Sequence, residues 1–146
     1  MGCGTGLVGQ YLKEAGFTNI HGQDASSKML DVAKEKEAYA DLNELFLGSP
    51  STYPEKYHNK YDFITASGIL ADNHLDTSVF EEMLMSLKVG GICIFTSRTE
   101  YLEAYGYAPY MAKLVDEGRW KFVQKENYIK YNNLEEGVGR FKPTES

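Results

Sequence analysis

Gly2-Cys3-Gly4-Thr5-Gly6-Leu7-Val8-Gly9 and, eighteen residues after Gly6, the Asp24 of Gly22-Gln23-Asp24-Ala25-Ser26-Ser27 form the stretch on which the fold of this 146-residue chain turns. Glycines gather where backbone must turn tightly and let another group approach at a distance a Cβ would forbid. Beyond them Leu7, Val8, Tyr11, Leu12 and Ala15 recur at helical spacing and Gly16 follows as a C-terminal cap would, so residues 7–15 are predicted to form a short amphipathic helix. Residues 17–24 predict a strand ending on Asp24, and Ser26 and Ser27 offer hydroxyls to cap a helix over residues 28–40, with Met29, Leu30 and Ala33 on its inner face. In such an arrangement the carboxylate that ends the strand can accept both hydroxyls of a ribose. The plainer reading is a Gly-rich turn followed by an incidental acid.

The same alternation continues along the chain. A third strand over residues 44–47 stops at Gly48-Ser49-Pro50, and a Tyr- and Lys-rich connection, expected to face solvent, leads to Lys60. Residues 61–67 predict a buried strand, residues 68–76 a loop, and residues 77–87 a helix with Val79, Phe80, Met83, Leu84 and Leu87 on one face. Val89-Gly90-Gly91 is expected to turn the chain into a short apolar strand over residues 92–96, followed by a helix over residues 107–117. Residues 120–131 predict one arm of a terminal hairpin, with residues 137–141 as its partner. Strands and helices alternating through short links argue for a doubly wound, mostly parallel α/β sheet in a single domain, residues 1–146.

A glycine loop of this kind follows a strand, yet no strand precedes it here. The sheet is therefore expected to lack its central member, either because the domain is N-terminally incomplete or because the fold is rearranged. Losing that strand would orphan two rows of backbone groups.

Composition narrows the function classes. Fifteen Lys and Arg against 21 Asp and Glu leave a net charge of −6, which disfavours nucleic acid and favours a small-molecule or protein partner. The alternation of Lys113, Arg119, Lys121, Lys125 and Lys130 with Asp116, Glu117 and Glu126 describes a solvated surface rather than a polyanion site. Cys3 and Cys93 stand far apart with no zinc-ligand spacing near either, so no metal is expected and a reducing compartment, cytoplasmic or nuclear, is the simplest reading. The longest apolar runs fall well short of the roughly 18 to 20 residues a membrane helix needs.

Gly2-Cys3-Gly4-Thr5-Gly6, Asp24-Ala25-Ser26-Ser27-Lys28-Met29-Leu30, Tyr61-Asp62-Phe63-Ile64 and Leu87-Lys88-Val89-Gly90-Gly91, in that order, resemble the class I S-adenosylmethionine-dependent methyltransferases across most of the chain. Within that family, Gly22-Gln23-Asp24-Ala25-Ser26 and Thr96-Ser97-Arg98-Thr99 are most similar to the small methyltransferase-like proteins related to the Williams-Beuren syndrome region methyltransferase. The resemblance implies S-adenosylmethionine as cofactor and methyl transfer to a small-molecule or protein acceptor. It implies that Gly2, Gly4 and Gly6 bring backbone against the methionine and ribose portions, that Asp24 takes the ribose hydroxyls, and that Met29 packs on the adenine, where the plainer reading is a core methionine. Cys3, Thr5, Ala25 and Ser67 complete the implied cofactor-binding set. Where the family commonly has an acid for the adenine amino group this chain has Ser49, whose hydroxyl accepts more weakly, and the acid that usually ends the first strand would lie before Met1.

Methyl transfer from a sulfonium needs alignment and a desolvated pocket more than a base, and no catalytic residue is assigned. Acceptor contacts are expected from Asn73 and His74 after one strand and from Arg98 and Tyr101 after the next, against the plainer reading of a solvated His and a surface Arg. Ala66-Ser67-Gly68-Ile69 is unlike the motif of amino-directed nucleic-acid methylases. Two other readings stand beside this one. Gly4-Thr5-Gly6-Leu7-Val8-Gly9 fits the dinucleotide fingerprint of NAD oxidoreductases, although none of the 11 Tyr is followed four positions later by Lys. The third is a noncatalytic, adenosine-binding or scaffolding remnant.

Overall fold

The computed structural model describes residues 1–71, 75–130 and 144–145. Helix α1 (Leu7–Glu14) follows the glycine loop, then come strand β1 (His21–Asp24), helix α2 (Ser27–Glu35) and strand β2 (Asp41–Glu44). Two short 3-10 turns, Pro50–Thr52 and Glu55–Tyr57, lead to β3 (Tyr61–Leu70), α3 (Val79–Ser86) and β4 (Leu87–Ser97). Helices α4 (Thr99–Ala104) and α5 (Tyr107–Asp116) precede the two-residue strands β5 (Ile129–Lys130) and β6 (Thr144–Glu145).

The expected parallel pairing is present, in two halves. β1 pairs with β2 from His21 against Asp41 to Asp24 against Glu44, and β3 pairs with β4 from Tyr61 against Leu87 to Leu70 against Ser97. Between β1 and β3 there is no ladder among the described residues; each pair is a separate two-stranded sheet. Among the described residues, only those before Gly4 bond both halves through backbone. The Met1 α-nitrogen donates to Thr65 O of β3 at 2.8 Å, and Cys3 N donates to Gln23 O of β1 at 2.9 Å. Side chains make the other crossings: Tyr61 OH lies 3.3 Å from His21 Nδ1, and the Phe17 and Phe63 rings meet edge to face.

The core lies on one face of the β3–β4 pair. Ile64 and Ala66 pack there with Val79, Phe80 and Met83 of α3 and with Tyr107 and Leu114 of α5. Phe80 is its centre, with ring contacts to Phe95, Tyr107, Tyr110 and Trp120. Each such pair is worth about 0.5–1.5 kcal/mol beyond burial. On the opposite face Phe63 is 57% and Ile94 61% exposed, as are Leu7 and Tyr11 of α1. The apolar face predicted for residues 7–15 is thus largely open, because among the described residues no strand stands between β1 and β3 to receive it. What secures α1 instead is Tyr39, whose ring fills the space left by Gly9; a Cβ there would come within 2.2 Å of it.

Several boundaries differ from expectation for physical reasons. β1 begins at His21 rather than at residue 17, and α2 ends at Glu35, five residues early. β2 occupies Asp41–Glu44 and not residues 44–47, because the ladder to β1 is set by Ala40 N on Ile20 O and Leu45 N on Asp24 O, which leaves Phe46 exposed beyond it. Val89-Gly90-Gly91 lies within β4, and Thr99–Ala104 is a helix that apolar spacing did not announce. The Tyr-rich connection is not a solvent-facing loop: Tyr53 and Tyr57 are buried, and the Tyr53 hydroxyl accepts from Ser86 Oγ at 2.8 Å and donates to Gln23 Oε1 at 3.3 Å. A tyrosine tip can be buried when its hydroxyl is satisfied in this way. Ile129–Lys130 pairs antiparallel with Thr144–Glu145; the expected partner arm, residues 137–141, lies outside the described residues. No helix among the described residues is long and apolar enough to cross a membrane.

Candidate functional site

The glycine loop and the C-terminal end of β1 meet in one place, with the loops after β2 and β3 at its sides. Gly2, Gly4 and Gly6 have φ of +60°, +52° and +85°, in the left-handed region that favours glycine. Gly2 has no room for a side chain, since a Cβ would lie 2.1 Å from Ile69 Cγ2. Gly4 is different: the nearest atom to its missing Cβ is Met29 Sδ at 3.9 Å, so the backbone there borders open space bounded by a thioether. Met29 is 46% exposed, which corrects its placement on the inner face of α2 and sets aside the core-methionine reading; Ala33 is the buried residue of that helix.

Asp24 holds this loop. Its Oδ2 accepts Gly4 N at 2.7 Å and its Oδ1 accepts Ser26 N at 2.9 Å, while Ser26 Oγ caps α2 by accepting Met29 N at 3.3 Å. A carboxylate offers about four lone-pair sites. Two remain, which suits a pair of vicinal hydroxyls approaching from the exposed side. The Cys3 thiol beside it is half-buried and pushed up by burial and by the Asp24 charge, whereas Thr5 and Ala25 are exposed at the rim.

The loop after β2 forms a second wall. Gly48 N and Ser49 N donate to the two carboxylate oxygens of Glu82 on α3, at 2.8 and 2.9 Å, and Ser78 Oγ donates to Gly48 O at 3.0 Å. Ser49 itself is exposed. Burial pushes the Glu82 carboxyl above its ordinary range, opposed by the two N–H bonds. Sequence reasoning missed Glu82, although its spacing carried a signal: Val79, Glu82, Met83 and Ser86 recur as one helical face, and all four are fully buried.

At the ends of β3 and β4, exposed Ser67 has its Oγ 3.3 Å from Thr96 Oγ1, which also accepts Gly68 N at 3.3 Å. Sequence reasoning quotes Thr96 only within the Thr96-Ser97-Arg98-Thr99 resemblance and gives it no site role; its β-branched hydroxyl at a strand end was the available cue. Arg98 and Tyr101 stand together, the guanidinium 5.5 Å from the ring centroid, and Arg98 Nη1 reaches Glu100 Oε1 at 3.2 Å. Asn73 and His74 lie outside the described residues. A groove of about 1030 Å³ runs along the outer edge of β4, past Ile92, Ile94, Trp120, Phe122 and Val123, but none of Gly4, Asp24 or Ser49 lines it. Among the described residues no group of His, Cys, Asp and Glu could hold a metal ion.

Comparison with known proteins bears on the family and the fold. A family model described as a methyltransferase domain matches residues 1–91. The human methyltransferase-like protein 27 is 32% identical over 82% of this chain and 49% of its own length. The demethylmenaquinone methyltransferase of Oceanobacillus iheyensis is 32% identical over 95% of this chain and 60% of its own. The chain thus spans about half to three fifths of the length of these curated relatives. Among solved structures, the PH0226 protein of Pyrococcus horikoshii OT3 superposes with a TM-score of 0.51 at 18% identity, over 90% of this chain and 56% of that one, a likeness of fold.

Proposed function

The chain belongs to the methyltransferase domain family, with its Rossmann-like α/β fold, and on that premise we propose that it binds S-adenosylmethionine and serves methyl transfer to a small-molecule or protein acceptor. The observation that carries this reading is the Gly4–Asp24 unit: an open backbone cradle whose N–H is held by a carboxylate with two acceptor sites to spare. In this reading Gly2, Cys3, Gly4, Thr5 and Gly6 line the methionine and ribose side, Asp24 and Ala25 meet the ribose, and Met29 and Ser49 flank the adenine. When bound, the sulfonium supplies an activated methyl group. The chain's residues then have three tasks: to orient it through the Gly4 cradle, to hold the ribose through Asp24, and to exclude water at the ends of β3 and β4. Ser67 completes the cofactor set, and Asn73, His74, Arg98 and Tyr101 belong to the acceptor side. The two cysteines are both free, which suits a reducing, cytoplasmic compartment.

Calorimetric titration with S-adenosylhomocysteine beside NAD tests the reading without knowledge of the acceptor. Saturable binding of the former and none of the latter is expected. Binding of NAD alone would replace the methyltransferase reading with the oxidoreductase one, and binding of neither to the folded protein would refute the cofactor assignment.

A further inference from the structure

A glutamate is almost never fully buried without partners, and Glu82 is fully buried. Its two oxygens are spent on backbone: Oε2 takes Gly48 N and Oε1 takes Ser49 N. One turn earlier, at the N-cap of the same helix, Ser78 Oγ holds Gly48 O, and Asp76 Oδ1 accepts from Ser78 N at 2.8 Å. Both N–H groups and a carbonyl of a two-residue stretch are thereby fixed by a single neighbouring segment. Pro50 follows and has no N–H. From Gly48 to Pro50, then, every backbone donor is either engaged by Glu82 or missing, and the group of this stretch left facing out is the Ser49 side chain.

We propose that Glu82 is a positioning residue for purine recognition, acting through Gly48 and Ser49, and that by consuming both N–H groups it leaves the Ser49 hydroxyl as the one group with which this loop meets the edge of the base. This rests on the cofactor reading above and deepens it. The consequence is a specificity. A carboxylate at position 49 would only accept, and so would favour a 6-amino purine and repel a 6-oxo one. A hydroxyl donates or accepts as required, so the loop discriminates weakly between the two.

The test compares S-adenosylhomocysteine with its 6-oxo counterpart, S-inosylhomocysteine, by calorimetry on the full chain. The wild-type protein should bind both within about threefold, and Ser49→Asp, an exposed position, should shift the ratio toward the 6-amino ligand by about tenfold or more, since a site with mismatched hydrogen-bonding groups rejects strongly. Glu82→Gln keeps the volume but turns an NH2 group toward one backbone N–H; it should weaken both ligands by about tenfold and change their ratio, while Asp24→Asn weakens both without changing it. A purely structural Glu82 would lower the melting temperature and leave the ratio alone. If Glu82→Gln fails to fold, Ser49→Asp and Ser49→Ala decide. Wild-type binding with the ratio unmoved in the Ser49 variants overturns the inference alone, and so does an unmoved ratio in a folded Glu82→Gln. Failure of the folded wild-type protein to bind either ligand overturns the cofactor reading, and the inference with it.

Discussion

Extending the chain at its amino end by four apolar, β-branched residues should stabilise it markedly. The Met1 α-nitrogen bonds Thr65 O, so in a parallel arrangement residues placed before Met1 would run back beside Ile64, Phe63, Asp62 and Tyr61, reaching the start of β3 in four positions. Four apolar side chains passing from water into the gap between β1 and β3 gain about 1.5–3 kcal/mol each. Ordering the four residues costs about 1.5 kcal/mol each. The midpoint difference is about 3 kcal/mol, or about 12 °C in Tm at the roughly 4 °C per kcal/mol of a domain this size. The charge at Met1 adds a pH signature. Burial holds the ammonium below its ordinary value of 8.0, so the unfolded chain binds more protons than the folded one, and stability rises with pH across the window that ends near 8. In the extended chain that nitrogen is an uncharged amide that can make the same bond to Thr65, and the rise should vanish. Thermal melts followed by circular dichroism at pH 6 and pH 8.5, with a four-residue Gly-Ser extension as control, measure both effects. Equal Tm shifts from the apolar and polar extensions would refute the idea that the facing edges of β1 and β3 accept a strand.

Other outcomes follow from single contacts. Asp24→Ala should weaken S-adenosylhomocysteine binding by about 1.5–3 kcal/mol, the range for hydrogen bonds to a charged group, as read by calorimetry; unchanged affinity in a folded variant would remove Asp24 from the ribose site. Gly9→Ala drives a methyl into the Tyr39 ring and should cost about 1–3 kcal/mol in urea unfolding, with most of that loss relieved in the Gly9→Ala, Tyr39→Ala pair relative to Tyr39→Ala alone. Arg119, and then Tyr110, hold the Glu81 carboxyl below its ordinary 4.5, so this group contributes stability above that pH and loses it as pH falls through the lowered value. Because the Arg119 ion pair is partly exposed, the contribution should be at most about 1 kcal/mol, and Glu81→Gln should flatten the acid limb of a stability–pH curve by that amount.

What the sequence made legible is what local chemistry determines. The left-handed glycines, the carboxylate at the end of β1 and the buried Val79, Phe80 and Met83 of α3 are each announced by a few neighbouring residues and lie where spacing predicted them; Leu84 is only half-buried, and Leu87, which spacing put on the same helical face, instead opens β4. The misses need a partner distant in the chain. Tyr53 and Tyr57 sit in a stretch whose composition is that of a surface loop; only Ser86, 33 residues away, and Gln23, 30 residues away, make it possible to bury the Tyr53 hydroxyl. Glu82 has the wrong chemistry for its buried face until Gly48 and Ser49 supply N–H groups to it. Met29 obeys helical spacing and yet faces out, because the loop ending at Gly6 packs against Ala33 and leaves Met29 beside the open backbone of Gly4.

The residues that carry the proposed chemistry also join the two half-sheets, and this couples ligand to fold. Met1 and Gly2 engage β3 through Thr65 O and Ile69, while Cys3 and Gly4 engage β1 through Gln23 O and the Asp24 carboxylate. A ligand seated on Gly4 and Asp24 therefore fixes the short segment that spans the gap. It stabilises whatever state has that segment in place, by about 2.7 kcal/mol at a hundredfold excess over its Kd. That is close to the gain worked out for an added strand, and both act on the same segment, Met1 to Gly4. The strand extension should accordingly tighten ligand binding as well as raise Tm, because it removes the ordering cost that the ligand otherwise bears. Equal ligand affinity in the extended and unextended chains, with Tm raised, would mean that the loop is already fully set by Asp24 and that the gap contributes to stability alone.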